Sequence, residues 1–155
     1  EPEVQATLEA LRLPAGSSVA NPIDMPASAL EKEGGRIAER VLEAVFAEAR
    51  PDALVMHLNV TAILNRGHVD LLGNLINAVK RVQSRYPGRA HVMLSLRSDG
   101  EPAVEEKKRA YRQQLLSAGI PVFDEMLQSA QALAAVCAFE RFSHRRDASA
   151  MDPVG

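Results

Sequence analysis

Asn21, Asp24 and Arg66 are the side chains best placed to handle an anion. Asn21 and Asp24 frame the turn Asn21-Pro22-Ile23-Asp24, and Arg66 lies in Arg66-Gly67-His68, just ahead of a helical pattern that starts near Val69. A guanidinium beside a helix amino terminus, where free backbone amides carry partial positive charge, is a natural seat for phosphate or carboxylate. Each residue also has a plainer reading. Asn-Pro favours an extended approach to a turn, Asp caps local amides, and a loop arginine is commonly just solvated. Asp24 suits orienting the loop better than touching an anion, because like charges repel.

Other chemistries find little footing. His57 falls inside a strand-like run, whereas a phosphoryl-carrying imidazole needs an exposed place at a loop or helix end, so it reads as a core or edge residue. His91 opens the next strand, at the edge opposite the expected functional one, and His144 lies in a polar tail. No His, Cys or acidic pair has a metal-ligand spacing such as His-x-x-x-His. Cys137 is the only cysteine; it falls on the apolar stripe of the last helix and reads as a buried, inert thiol. Glu101, Glu105 and Glu106 crowd a helix start, where they complement its dipole and repel phosphate. Lys107-Lys108-Arg109 reads as a solvated helix face. No catalytic residue and no metal site is expected in this chain.

The elements that must position these groups follow from the hydrophobic period. Residues 3–12 form a leading helix, closed by Pro14-Ala15-Gly16. Ser18-Val19-Ala20 is a short first strand. Ser28 to Glu31 has the form of a capping box, and the main helix then runs from Gly35 to about Ala49. Residues 53–60 are almost continuously apolar, as in a strand buried on both faces. A helix over about 69–85 ends at Tyr86-Pro87-Gly88. A strand follows at 91–96, then a helix from Pro102 to about Ala118 with Gly119 past its end. Ile120 to Phe123 is a fourth strand. Asp124 caps a last helix whose Met126, Ala130, Leu133 and Cys137 face inward. Strands separated by helices imply right-handed crossovers. The expected fold is α/β: a three-layer flavodoxin-like sandwich with a mainly parallel sheet of about four strands. Residues 1–14 form a leading helix or linker, 15–142 the flavodoxin-like unit, and 143–155 a flexible tail. In such sheets ligands bind at the carboxyl ends of strands, here the loops over 21–30, 59–68 and 95–101.

Bulk properties narrow the function classes. The 155 residues amount to one domain, with 46% hydrophobic and 25% charged residues. A net charge of −2 and only 4% aromatics give no basic surface and no stacking platform, so neither nucleic acid nor membrane is an expected partner. No stretch approaches a membrane span, and Glu1-Pro2-Glu3 is acidic where a secretory leader is basic. A single cysteine fits a reducing, cytoplasmic setting. The chain begins without Met, which suggests a piece of a longer polypeptide.

Two motifs carry a family resemblance. Val19-Ala20-Asn21-Pro22-Ile23-Asp24 resembles the Asn-Pro-x-Asp element of the ligase-CoA (succinyl-CoA synthetase-like) domain of the NDP-forming acyl-CoA synthetase family. Ala118-Gly119-Ile120-Pro121-Val122-Phe123, leading into Gln128-Ser129-Ala130-Gln131-Ala132-Leu133-Ala134-Ala135, resembles the family's closing strand and helix. The likeness covers residues 16–142. It implies part of an acid–thiol ligase that converts acyl-CoA, phosphate and a nucleoside diphosphate to the acid, CoA and the triphosphate. It implies no cofactor on this chain: CoA, nucleotide and Mg belong to partner domains. Those partners are a CoA-binding domain, a phosphohistidine domain and an ATP-grasp domain of the same chain or complex, and the isolated fragment would be inactive. The substrate- or phosphate-binding set is then Asn21, Asp24, Asn59, Thr61 and Arg66.

Departures from the family pattern keep a second reading open. The family usually has glycine after Asn-Pro-x-Asp, and its succinyl-CoA branch has a glycine pair soon after an Asn at the second strand end. Here Met25-Pro26-Ala27 and Val60-Thr61-Ala62 stand in those places. Proline removes an amide donor and makes a loop poorer at wrapping an anion. The alternative is a non-catalytic protein-interaction module on the same fold that has lost the anion site. A receiver or flavin-binding domain fits less well, for want of an acidic pair after an early strand or a phosphate loop.

Overall fold

A computed structural model describes residues 2–65 and 70–150. Three strands, β1 (Ala53–Asn59), β2 (His91–Arg97) and β3 (Val122–Phe123), form one sheet in the order β1-β2-β3, every pair parallel. Helices α4 (Leu71–Arg85) and α5 (Pro102–Ser117) make the two crossovers. Successive crossovers of one hand lie on one face, and Leu72, Ile76 and Val79 of α4 and Val104 and Leu115 of α5 share a single core with Val92, Leu94 and Leu96 of β2. Alternation turns Met93 and Ser95 to the other face, which α6 (Met126–Ala150) covers. The result is the expected three-layer α/β sandwich with a parallel sheet.

The first strand is a correction. Ser18-Val19-Ala20 adds nothing to the sheet, which has three strands rather than about four. Ser18 instead pairs with Asp24 as an isolated antiparallel bridge, its amide donating to the Asp24 carbonyl at 2.9 Å and its own carbonyl accepting at 3.0 Å. The run is too short to make a strand before Asn21-Pro22 reverses it. Val19 and Ile23 are drawn to a separate apolar cluster, formed by Val4 and Leu8 of α1 (Pro2–Ala10) and Val41 and Ala44 of α2 (Arg36–Ala44). With no strand beside it, β1 is an edge. Leu54, Met56 and Leu58 pack on the core while His57 is exposed, so the strand buried on both faces is β2, not β1.

Helix α2 lies along α4. Glu39 accepts from Arg81 (2.6 Å) and Arg85 (3.0 Å), and Glu43 pairs with Arg85. The last turn of α2 widens to a π-helix over Val45–Ala49, ending at Arg50 in the left-handed region (φ 48°). The Ser28–Glu31 capping box does not form. Ala29 and Leu30 are buried, which pulls Ser28 inside a 3-10 turn (Ala27–Leu30) that has no side-chain cap.

Helix α6 runs antiparallel to β2. Ser129 meets Ser95 near the strand's end, and Glu140 meets His91 (2.9 Å) at its start. Ser129, Leu133 and Val136 lie on its inner side, whereas Met126 and Ala130, expected inside, are exposed. The stripe is turned because a serine fills the most buried position. The helix also continues through 143–150, where the sequence suggests a loose tail.

The Ser95–Ser129 hydroxyl pair is fully buried at 2.8 Å. Ser129→Ala leaves one hydroxyl without a partner and should cost about 1–3 kcal/mol, while the double change Ser95→Ala/Ser129→Ala should cost less than the sum of the singles. Urea denaturation of the four proteins gives the coupling; strict additivity would show that the pair contributes nothing.

Candidate functional site

The carboxyl ends of β1, β2 and β3 gather the polar groups that an α/β sheet presents to a ligand. Asn59 ends β1 and caps the short helix α3 (Val60–Leu64), its Oδ1 accepting from the Ala62 amide at 3.1 Å. The next polar side chain, Thr61, accepts from the Asp99 amide at 3.2 Å, which ties the segment after β1 to the segment after β2. Asp99 in turn accepts from the Glu101 amide at 3.1 Å, shaping the start of α5.

Behind this rim lies an ion network that the sequence does not announce. Lys108 is buried, not solvated as expected. Its ammonium lies 2.8 Å from Asp124, 3.5 Å from Glu105 and 3.2 Å from the Ser98 hydroxyl, which itself donates to Glu105. Arg112 reaches Asp124 at 3.1 Å and the Val122 carbonyl at 2.8 Å. An ammonium has three donors, and here all three have partners. Two cations face two carboxylates, so the network neutralises itself. It fixes the segment after β2 against the turn after β3 and offers no spare cation to a phosphate. The one signal available earlier was Asp124, placed just past the closing strand that α5 must cover. Asp124 does not cap α6 as expected: its carboxylate is held by Lys108 and Arg112, and Gln128 accepts from the amides of Asp124 (3.1 Å) and Glu125 (3.3 Å) instead. The hydrogen bond and charge of Lys108, with Arg112 behind it, hold the Asp124 carboxyl below its ordinary range. Ser98 does the same for Glu105.

A second anchor lies at the start of α4. Asp70 accepts from the Gly73 amide at 2.8 Å and from the Tyr111 hydroxyl, linking α4 to α5. Burial, with the Asp70 bond added to it, pushes Tyr111 up to about 12. A side chain at Gly73 would collide with the Asp70 carboxyl, 2.1 Å from where its Cβ would stand.

The five expected anion-binding residues therefore separate. Asn59 and Thr61 share the rim. Asn21 and Asp24 are exposed on the reversal that packs on α1 and α2, and no hydrogen bond or ion pair joins them to Asn59 or Thr61 among the described residues. Arg66 lies outside the described residues. The rim carries Asp99, Glu101 and Glu106 with Arg97, an acidic balance. Among the described residues no group of three His, Cys, Asp or Glu side chains could hold a metal ion. Cys137 is half-buried. Among the described residues no helix is long and apolar enough to cross a membrane. No family model, curated protein or solved structure matches the chain.

Proposed function

We propose that this chain is the ligase-CoA-type domain of an NDP-forming acyl-CoA synthetase, completing a substrate site that partner domains share. One observation carries the reading. Gly119-Ile120-Pro121-Val122-Phe123 forms the left-handed turn (Gly119 φ 75°) and last parallel strand, and leads directly into the alanine-rich α6. This placement of the motif, on a turn, a closing parallel strand and the helix after it, is what supports the reading. On this reading Asn59 and Thr61 form the rim that a partner's phosphohistidine loop approaches, and Asn21 and Asp24 shape the flank where that partner seats. CoA, nucleotide and Mg are held by the CoA-binding, phosphohistidine and ATP-grasp domains. The expected compartment is the cytoplasm.

A second reading, a non-catalytic interaction module, is favoured by the saturated donors of Lys108 and by the Asn59 oxygen being taken by the α3 cap. One assay separates the two. The chain is combined with CoA-binding, phosphohistidine and ATP-grasp domains, and triphosphate formation from acetyl- or succinyl-CoA, phosphate and a nucleoside diphosphate is measured. Omitting the chain should abolish turnover. Thr61→Val, which frees the Asp99 amide, should lower it about tenfold, equivalent to about 1.4 kcal/mol of transition-state positioning. Turnover that needs the chain but ignores Thr61→Val and Asn21→Ala points to the interaction module. Turnover unchanged without the chain ends the ligase reading.

A further inference from the structure

We propose that the outer face of α4 is a binding site for an oligophosphate, a ligand carrying two or more linked phosphates. The site belongs to the second half of the helix, away from the rim, and stands apart from the ligase reading.

Residues 71–89 hold four cations, Lys80, Arg81, Arg85 and Arg89, and no carboxylate, in a chain of net charge −2. Helix α4 buries Leu72, Ile76, Val79 and Val82, which turns Lys80, Arg81 and Arg85 to its exposed side. An open groove of about 460 Å3 lies there, lined by Asn77, Lys80, Arg81, Ser84 and Arg85. Each of these side chains can donate a hydrogen bond. The volume suits a small molecule, and a lining with neither an apolar nor an acidic side chain selects an anion.

The arginines are set in place from below. Glu39, 14% exposed, accepts from Nε and Nη2 of Arg81 (3.0 and 2.6 Å) and from Arg85 (3.0 Å), and Glu43 also holds Arg85. Side chains already ordered lose less entropy when a ligand arrives. Nη1 of Arg81 donates to no described residue, and Lys80 pairs with no described carboxylate. Glu39 and Glu43 offset the two guanidiniums, so Lys80 supplies the excess charge in the groove.

Spacing decides the class of anion. Lys80 and Ser84, like Arg81 and Arg85, are four residues apart, about 6 Å along the axis. Linked phosphates span both turns, whereas one phosphate meets them less well. An acidic peptide carries its charges on flexible side chains and loses more entropy on binding. The carboxyl half of a helix disfavours anions. Affinity therefore rests on the side chains, and is modest and sensitive to salt.

Isothermal titration calorimetry with inorganic tripolyphosphate, on the 155-residue chain at about 20 mM ionic strength, tests this. One site with a Kd of about 0.1 mM is expected, with orthophosphate at least about tenfold weaker. Lys80→Gln should weaken binding at least about fivefold, while Lys107→Gln, at an exposed cation on α5, should leave it within about twofold. Amide NMR shifts on titration should cluster at residues 77–85. Far-UV circular dichroism confirms that each variant is folded. Vesicles holding about 5% phosphatidylinositol bisphosphate offer the same chemistry on a lipid surface, and should bind the chain no more tightly than the free ligand does. No binding of tripolyphosphate up to about 5 mM overturns the proposal. So does equal weakening by Lys80→Gln and Lys107→Gln, hexaglutamate bound as tightly as tripolyphosphate, or capture by vesicles without binding of the free ligand.

Discussion

Phe46→Ala should lower the unfolding free energy by about 3–5 kcal/mol. Phe46 is 2% exposed and is the largest of the fully buried side chains. It belongs to the π-helical turn Val45–Ala49, where the Arg50 amide bonds back to the Val45 carbonyl at 3.2 Å. Its ring lies 5.8 Å from that of Tyr86, at 41°, so it joins the end of α2 to the end of α4. Truncation removes this transfer energy, the aromatic pair and the packing of both helix ends together. The π-turn backbone is held at both ends and cannot collapse fully into the space, which places the cost toward the upper part of the range. A chain of this size should lose about 8–15 °C in Tm. Phe46→Leu, which keeps most of the volume, should lose less than half as much. Thermal and urea denaturation give both values; a loss under about 1 kcal/mol for the alanine variant would mean that α2 is not packed as described.

Asp124→Ala should also be damaging, at about 1–3 kcal/mol. The figure is below the 3–5 kcal/mol of a fully buried broken pair, because the Asp124 side chain is 47% exposed and solvent screens it. The damage arises on the cationic side: Lys108, only 10% exposed, keeps its charge but loses its shortest ion contact. Adding Lys108→Met should therefore recover most of the loss, since an uncharged side chain of similar length needs no partner there. The same pair sets an acid limb. The Asp124 carboxyl is depressed in the folded state, above all by its bond to Lys108. A depressed carboxyl stabilises the fold fully above its ordinary value of 3.8 and loses that contribution as pH falls through the folded value. Stability of the starting protein should decline as pH falls below about 4, and that part of the slope should vanish in Asp124→Ala. A double variant no more stable than Asp124→Ala alone would show that Lys108 does not carry the penalty.

The separation between what could be foreseen and what could not follows particular residues. Helices over 71–85 and 102–117 were legible because their apolar residues recur at helical spacing and Pro87 and Gly119 stop them. The parallel sheet was legible because these helices alternate with short apolar runs. The role of Ser18-Val19-Ala20 was not: three residues carry too little periodicity to decide whether they join a sheet or pack on α1. Asn59 and Thr61 were placed at a strand end by order alone, but only the fold revealed that one is a cap and the other a tie to Asp99.

By itself, then, the order of apolar periods and turn residues determined the layers, the crossovers and the direction of the strands, since these depend on neighbours within one turn or one strand. Tertiary structure alone decided which run lies at the centre of the sheet, which side of α6 turns inward and whether Lys108 meets water. Those outcomes depend on contacts between segments distant along the chain, such as Ser95 with Ser129 and Lys108 with Asp124, whose burial no local pattern encodes.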